Sequence, residues 1–334
     1  MNKMKTMMIE DFGDSSVLSE KEIQIPEPGD NEILLKVAAT SVNPVDNFLR
    51  MGGMPQLIPQ LPAVLHSDVS GTVVKKGKNV NTFKEGDKVI ALYGGMAGLQ
   101  GALAEYMLVD KDCAALAPET ISLADAASIP LVGLTAWESL VEKANIQKGD
   151  RVLVFGGTGG VGHFALQLAA AFGCEVTATG SSEEKLEIAK SLGAKHTHNY
   201  KTEKPEDLVA RVTDGKGFDV VFDTVGGDNV QKSFSLVRPG GKVATILSMT
   251  AVDLTQLQMK NISLYGEFVL VPLISGNGRS EQGKNLQKIV SLVNQKKITP
   301  LVYTRKFAFD KAGDAHDLAA SGNFSGKIVL ENRW

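Results

Sequence analysis

The chain has 334 residues, 43% of them apolar and 22% charged, with a formal net charge of -3 at pH 7. That is enough apolar material for about two globular domains. The near-neutral balance offers no basic field for a phosphate backbone, so nucleic acid is not an expected partner. No run approaches the roughly 18 apolar residues that span a bilayer, and Met1–Glu10 lacks the apolar stretch of a signal peptide, so no membrane partner and a cytoplasmic location are expected. The two cysteines, Cys113 and Cys174, stand in apolar surroundings and read as buried thiols rather than a disulfide or metal ligands.

From about Lys3 to Ala117 short apolar runs such as Ile33–Val37, Gly71–Val74 and Asp87–Leu92 alternate with Gly, Pro, Asn and Asp turns, the rhythm of a small β-rich, barrel-like domain. From Ser122 the pattern changes to long helical stretches, beginning with Leu123–Lys143, separated by short apolar strands, which implies βαβ units and a parallel sheet. The strands are read at Arg151–Phe155, Glu175–Thr179, His196–Asn199, Val220–Asp223, Lys242–Leu247 and Ile262–Gly266, a complete doubly wound sheet. A helix over Gln282–Gln295 then leads to a closing strand, Lys327–Leu330, that returns to the first domain. The expected division is therefore a discontinuous catalytic domain, 1–122 and 273–334, and a dinucleotide-binding domain, 123–272.

Between the first parallel strand and the following helix lies Gly156-Gly157-Thr158-Gly159-Gly160-Val161-Gly162, in which Gly157, Gly159 and Gly162 satisfy G-x-G-x-x-G. Glycine suits the tight turn, the close approach of backbone to a pyrophosphate and the packing of helix on strand, and the helix N-terminus presents amides to the phosphates. An NAD site places a carboxylate at the end of the second strand; here the residues are Thr179-Gly180-Ser181-Ser182, with Lys185 one turn later to meet a 2′-phosphate. NADPH is the expected cofactor, and Ser181-Ser182 also suits the cap of the helix Glu183–Leu192.

With these residues in view, the chain resembles the zinc-free quinone oxidoreductases of the medium-chain dehydrogenase/reductase superfamily, the group that includes zeta-crystallin. The resemblance rests on Ser41-Val-Asn43-Pro44-Val-Asp46, Ser67-Asp68-Val-Ser-Gly71, Phe83-Lys-Glu-Gly86-Asp87, Ala104-Glu105-Tyr106, Leu134-Thr135-Ala136-Trp137, the glycine turn, Leu192-Gly193-Ala194, Phe222-Asp223-Thr-Val-Gly226-Gly227 and Gly240-Gly241-Lys-Val, in this order and spacing. It implies a Rossmann doubly wound sheet joined to a GroES-like β-barrel catalytic domain. It places Asn43 beside the nicotinamide, Thr135 along the cofactor cleft, and Gly180, Lys185 and Tyr200 around the adenosine phosphate. Leu247, Phe268 and Val269 complete the expected cofactor contacts, and Lys327 reads as a surface lysine that at most touches the cofactor region. A homodimer through an edge strand of the nucleotide domain, Ile262–Gly266, is a further implication.

Zinc alcohol dehydrogenases of the superfamily bind their catalytic metal at positions that here appear as Asn43, Ser67 and Leu131, none a good ligand, and the four-cysteine structural site has no counterpart among two cysteines. His66 and Asp68 flank the lost histidine position but make too poor a shell for a metal. Without zinc to stabilise an alkoxide, the acceptor itself must delocalise charge, as a quinone or an α,β-unsaturated carbonyl does. Asn43 is the candidate donor to the acceptor oxygen, or else only shapes the Asn43-Pro44 turn. Asp46 is expected to orient backbone or water, and Thr135 to position the nicotinamide. Phe48 and Met54 stand where relatives with defined quinone pockets carry tyrosines; Tyr93 is a pocket or core residue, and Gly94–Gly101 and Phe268–Gly278 finish the pocket. The expected activity is NADPH-dependent quinone reduction, with enal or enone double-bond reduction as the alternative and a catalytically silent NADPH-binding role as the reading of another class.

Overall fold

A computed structural model describes residues 3–334. These form two compact units: the first runs to Leu131 and takes up Leu270–Lys296 and Val302–Trp334, and the second is Val132–Val269 with Lys297–Leu301.

The first unit opens with an antiparallel hairpin, β1 (Lys3–Ile9) and β2 (Leu18–Gln24). Its main sheet begins with β3 (Glu32–Ser41), β4 (Asp68–Lys76), β5 (Lys88–Leu92), β6 (Tyr106–Asp110) and β7 (Ala114–Leu116). Ile33, Leu35, Val37 and Ala39 alternate along β3 and are all buried, the period of a strand with one face in a core. Helix α1 (Pro44–Arg50) starts where Asn43, in extended backbone, precedes a proline whose missing amide hydrogen is no loss in a first turn. Helix α2 (Leu123–Ala126) is capped by Ser122 and packs on β3 and β4. The unit boundary therefore lies after Leu131 rather than at the expected 122/123, because Ala127 joins Ala39 in the core of the first unit.

Helix α3 (Pro130–Trp137) continues into a π-helical segment, Glu138–Lys143. The second unit then alternates β8 (Arg151–Val154), α4 (Gly160–Ala171), β9 (Glu175–Gly180), α5 (Glu183–Ser191), β10 (His196–Asn199), α6 (Pro205–Thr213), β11 (Phe218–Asp223), α7 (Asp228–Leu236), β12 (Val237–Thr245), α8 (Thr255–Met259) and β13 (Ser263–Gly266). All its strands pair in parallel in the order β10-β9-β8-β11-β12-β13, the doubly wound arrangement. Strand β12 starts earlier than the expected Lys242 because Val237 already pairs with Phe218, with a register shift before Val220. One face of the sheet buries Leu153, Val221 and Val243 against Leu208 and Val212 of α6 and Val230 and Phe234 of α7. Each such side chain removed from water contributes about 1.5–3 kcal/mol.

The chain returns to the first unit through α9 (Val271–Ser275), α10 (Arg279–Asn294), β14 (Phe307–Ala308), α11 (Ala312–Ser321) and β15 (Val329–Glu331). The main sheet is thereby completed in the order β14-β15-β3-β4-β5-β7, with β6 on β3. Strand β15 runs antiparallel to β3, with Val329 opposite Ser41 and Leu330 opposite Thr40. This register brings Lys327, just before the strand, to the end of β3 where Val42 and Asn43 follow.

Gly162 shows how closely α4 approaches β8: a Cβ there would stand 2.1 Å from the Gly156 carbonyl oxygen, which is backbone and has no rotamer to escape into. Gly162→Ala is expected to cost about 1–3 kcal/mol, as overpacking does, and to lower the thermal unfolding midpoint by several degrees in a calorimetric scan.

Candidate functional site

In the second unit the predicted phosphate turn is held at both ends by the edge of β9. The Gly156 amide donates to Thr179 Oγ1 at 3.1 Å and the Gly157 amide to the Thr179 carbonyl at 3.1 Å. Gly156 has φ +63°, a left-handed conformation open to glycine, and Gly159 caps α4 in extended backbone. Gly157, Thr158, Gly159, Gly160, Val161 and Gly162 thus lie together as a cradle at a helix N-terminus, packed so closely that a Cβ at Gly157 would meet the Ala178 Cβ at 2.8 Å and one at Gly162 the Gly156 carbonyl oxygen at 2.1 Å. At the end of β9, Gly180, Ser181, Ser182, Lys185 and Tyr200 are gathered because the Tyr200 amide donates to the Gly180 carbonyl at 3.2 Å. Ser182 Oγ accepts from the Lys185 amide, so its capping role is present as well. The first carboxylates after this corner are the exposed Glu183 and Glu184 of α5.

Leu247 follows β12, and Phe268 and Val269 follow β13, so these predicted residues share the carboxyl-end rim of the parallel sheet with the glycine turn, where ligands of such sheets bind. Leu247 and Phe268 are partly exposed and Val269 is buried; Thr135 is buried on α3. Asp223 lies on the same rim and organises it. Its Oδ1 accepts from the Val225 and Gly226 amides at 2.9 and 3.0 Å, and its Oδ2 from Thr245 Oγ1 at 3.1 Å. These residues fit a dinucleotide: the cradle is backbone, its helix terminus is positive, and a polar corner lies beside it.

In the first unit Asn43 and Asp46 belong to a buried polar cluster that sequence reading only half found. Asp46 Oδ2 accepts from the Asn43 amide at 2.7 Å, which closes the first turn of α1. Burial pushes the Asp46 carboxyl up to about 7, against the opposing pull of the Asn43 amide and the Lys327 ammonium. Asp68, at the start of β4, is fully buried and surrounded by donors. Its Oδ2 accepts from Ser41 Oγ at 2.5 Å, Asn43 Nδ2 at 2.8 Å and Lys327 Nζ at 3.4 Å, and its Oδ1 from the Leu131 amide at 2.7 Å.

Lys327, expected at the surface, is 3% exposed. Its ammonium also donates to the Val42 carbonyl at 2.9 Å and to Asn43 Oδ1. Burial pulls its pKa down, and Asp68 and Asp46 hold it up. The reversal has a plain cause: the residues after it form β15 against β3, which draws a long cationic side chain inside, where only a prepared set of acceptors makes it tolerable. Its setting before the apolar run Ile328-Val329-Leu330, which leads into β15, was the available signal.

A second chain of buried polar groups adjoins the first. Arg50 Nε donates to His316 Nδ1 at 3.2 Å, and His316 Nε2 lies 2.8 Å from His66 Nε2. Thr40 Oγ1 lies 3.2 Å from His66 Nδ1 and donates to the Asp68 carbonyl at 2.6 Å. Because arginine only donates, His316 Nδ1 must accept; His316 Nε2 then carries the proton toward His66 Nε2, and His66 Nδ1 donates to Thr40. Burial holds both rings neutral, His66 well below the usual histidine range and His316 down to about 3. His66 adopts φ +74°, a strained conformation for a non-glycine residue. Gly95 and Gly101 make room for this segment, since a Cβ at Gly95 would meet the His66 backbone at 2.8 Å and one at Gly101 the Leu65 carbonyl oxygen at 2.0 Å.

The remaining predicted residues separate. Phe48 and Met54 are partly exposed, with the Phe48 ring lying over Gly53. Tyr93 is buried, with the Arg279 guanidinium 5.4 Å from its ring centre. Cys113 is buried, but Cys174 is only partly so, because it sits in the turn before β9 rather than inside the core. At the positions matching zinc ligands, the Asn43 amide is engaged by Lys327 and Asp68, Ser67 Oγ donates to the Gly94 carbonyl at 2.7 Å, and Leu131 is aliphatic. Zinc does not fit this donor set.

The histidine pair predicts an acid sensitivity. Above pH 6.5 both rings are neutral whether folded or unfolded; as the pH falls from 6.5 toward about 3 the unfolded chain binds a proton that folded His316 refuses, so stability declines. At pH 5 this amounts to about 2 kcal/mol from His316 alone. The raised Asp46 carboxyl acts in the opposite sense, favouring the folded state as pH falls below about 7. Comparing wild type with His316→Gln isolates the histidine: denaturant unfolding at pH 7 and pH 5 is expected to show a stability difference more favourable to acid in the variant by about 2 kcal/mol.

Comparison with known proteins places these features. Residues 29–119 match the alcohol dehydrogenase GroES-like domain, and residues 160–279 the zinc-binding dehydrogenase family. Tomato 2-methylene-furan-3-one reductase is 35% identical over 98% of this chain and 79% of its own length. The chloroplast envelope quinone oxidoreductase homolog of Arabidopsis thaliana is 33% identical over 96% of this chain and 95% of its own, and the NADPH-dependent alkenal/one oxidoreductase of the same plant 34% identical over 98% and 79%. Among solved structures, an alcohol dehydrogenase superfamily protein from Novosphingobium aromaticivorans superposes with a TM-score of 0.93 at 36% identity, covering 98% of this chain and 99% of that one. The quinone oxidoreductase from Coxiella burnetii superposes with a TM-score of 0.84 at 31% identity, covering 99% and 100%. Among the described residues no helix is long and apolar enough to cross a membrane.

Proposed function

The chain belongs to the quinone oxidoreductase family of the medium-chain dehydrogenase/reductase superfamily, oxidoreductases that use a nicotinamide cofactor, and from that premise we propose that it is a zinc-independent, NADPH-dependent reductase of quinones. The observation that carries the proposal is the donor set at Asn43, Ser67 and Leu131: a carboxamide, an internally bonded hydroxyl and an aliphatic chain replace metal ligands. When bound, the nicotinamide supplies a hydride. The chain's own part is to bind the phosphates on the amides of Gly157–Gly162, to orient the nicotinamide with Thr135, and to meet the charge that develops on the acceptor oxygen with an N–H of Asn43. A quinone spreads that charge over its ring, so one amide donor and solvent protons complete the two-electron reduction.

NADPH rather than NADH is supported by the corner after β9, where Ser181, Ser182, Lys185 and Tyr200 assemble and the strand ends in glycine rather than a carboxylate. The printed name of the Arabidopsis alkenal/one oxidoreductase points the same way. Enal or enone double-bond reduction is a second reading with its own support: Phe48 and Met54 give an apolar wall without hydroxyls, and two of the relatives above are named as reductases of such acceptors. A homodimer through β13 belongs to the same proposal, since β13 is one of the two edge strands of the parallel sheet, β10 being the other. So does a cytosolic location, which the chloroplastic plant relatives do not share.

Lys185→Glu tests the cofactor assignment. The KM for NADPH is expected to rise about tenfold more than that for NADH, roughly 1.4 kcal/mol of lost phosphate recognition, whereas equal effects on both would defeat it. A panel of ortho-quinones, para-quinones and alkenals separates the acceptors: turnover confined to alkenals would replace the quinone reading by the second one.

A further inference from the structure

We infer that Lys327 and Asp68 are positioning residues for the reduction: together they clamp the Asn43 carboxamide in one orientation, so that its NH2 faces a fixed direction when the acceptor oxygen arrives. The inference rests on the reading of Asn43 as the donor to that oxygen. Lys327 Nζ can only donate and its nearest side-chain partner is Asn43 Oδ1; Asp68 Oδ2 accepts from Asn43 Nδ2 at 2.8 Å. A flipped amide would set NH2 against the ammonium and C=O against the carboxylate, turning both attractions into repulsions. Side-chain amides are ordinarily free to exchange these two states; here buried opposite charges choose one.

The ammonium itself is fully engaged, with the Val42 carbonyl, Asn43 Oδ1 and Asp68 Oδ2 as its three acceptors, so it has no N–H to offer a substrate. Its influence reaches the reaction through the amide. A cation on the carbonyl oxygen draws electron density from the amide and strengthens its N–H groups as donors, an effect enlarged by burial, Asn43 being 1% exposed. Asn43 Nδ2 donates to Asp68, and the Asp46 carboxyl also draws on the Asn43 side chain. The backbone of Asn43 is fixed separately, since its amide donates to Asp46 Oδ2 and its carbonyl accepts from the Asp46 amide at 3.0 Å. Loss of Lys327 therefore frees the carboxamide without dissolving the turn that carries it. Lys327 thus acts by orienting and polarising a neutral donor.

The test is a double-mutant cycle on the full-length enzyme with NADPH and whichever quinone or alkenal it turns over: wild type, Lys327→Met, Asn43→Ala and the double variant, with NADPH binding followed by fluorescence. Lys327→Met is expected to lower kcat about tenfold with the KM for NADPH within about twofold, and to cause less than about a twofold further loss in the Asn43→Ala background. An equal loss in both backgrounds, or an unchanged kcat in Lys327→Met, overturns the inference. If Asn43→Ala alone turns over normally, the reading of Asn43 fails and the clamp with it, an outcome distinct from independent losses. Should Lys327→Met fail to fold, Asp68→Asn removes the other jaw with little change of shape, and the same vanishing of its effect in the Asn43→Ala background is expected.

Discussion

A buried ion pair, Lys327 with Asp68, is the interaction around which the first unit is arranged. Two charges taken out of water are costly, and their mutual attraction offsets the cost only when the remaining hydrogen-bonding positions are filled. Here Ser41, Asn43 and the Leu131 amide complete the carboxylate, and the Val42 carbonyl and Asn43 complete the ammonium. The pair and its partners come from the approach to β15, the start of β4, β3, the α1 turn and α3, so one electrostatic requirement ties the last strand of the chain to one of its first. The C-terminal segment that returns to the first unit brings this cation to Asp68 and pairs β15 with β3.

The chain Arg50–His316–His66–Thr40 extends the same logic across the unit. Each member has one feasible role as donor or acceptor, which fixes two neutral tautomers without any freedom to alternate. It ends at the Asp68 carbonyl, so the segment bearing the central carboxylate is restrained through its backbone as well as its side chain. In the second unit the ordering force is different. A parallel sheet buried on a face of Phe, Val and Leu side chains places the carboxyl ends of its strands along one rim, and the glycine turn, the Ser181–Lys185 corner and the Asp223-held turn lie there because the topology puts them there.

Local signals made much of this legible in the sequence. The parallel strands, the glycine turn and the capping serine depend on residues near one another in the chain, and their expected places differ from the observed ones by a few residues at most. Long-range polar pairing was not legible. Lys327 lies 284 residues from Asn43 and His316 lies 250 from His66, and the apolar run Ile328-Val329-Leu330 after Lys327 is the one local hint of burial for either. A lysine in a Gly-rich approach and a histidine in the mixed Ala-Gly-Asp-Ala-His-Asp helix look like surface residues, because only the folded register supplies the partners that make burial affordable. Tyr93 was ambiguous for a related reason: the Arg279 guanidinium that covers its ring comes from α10, far along the chain.

The central claim is that charge in this site is supplied by side chains, with Lys327 as the fixed cation and Asn43 as the donor, and not by a metal. The most direct measurement is NADPH oxidation with a quinone or alkenal acceptor by enzyme of known metal content, with and without a strong chelator. The account predicts turnover unaffected by chelator at zinc contents far below one per chain. A rate that falls on chelation and returns with added zinc would contradict it.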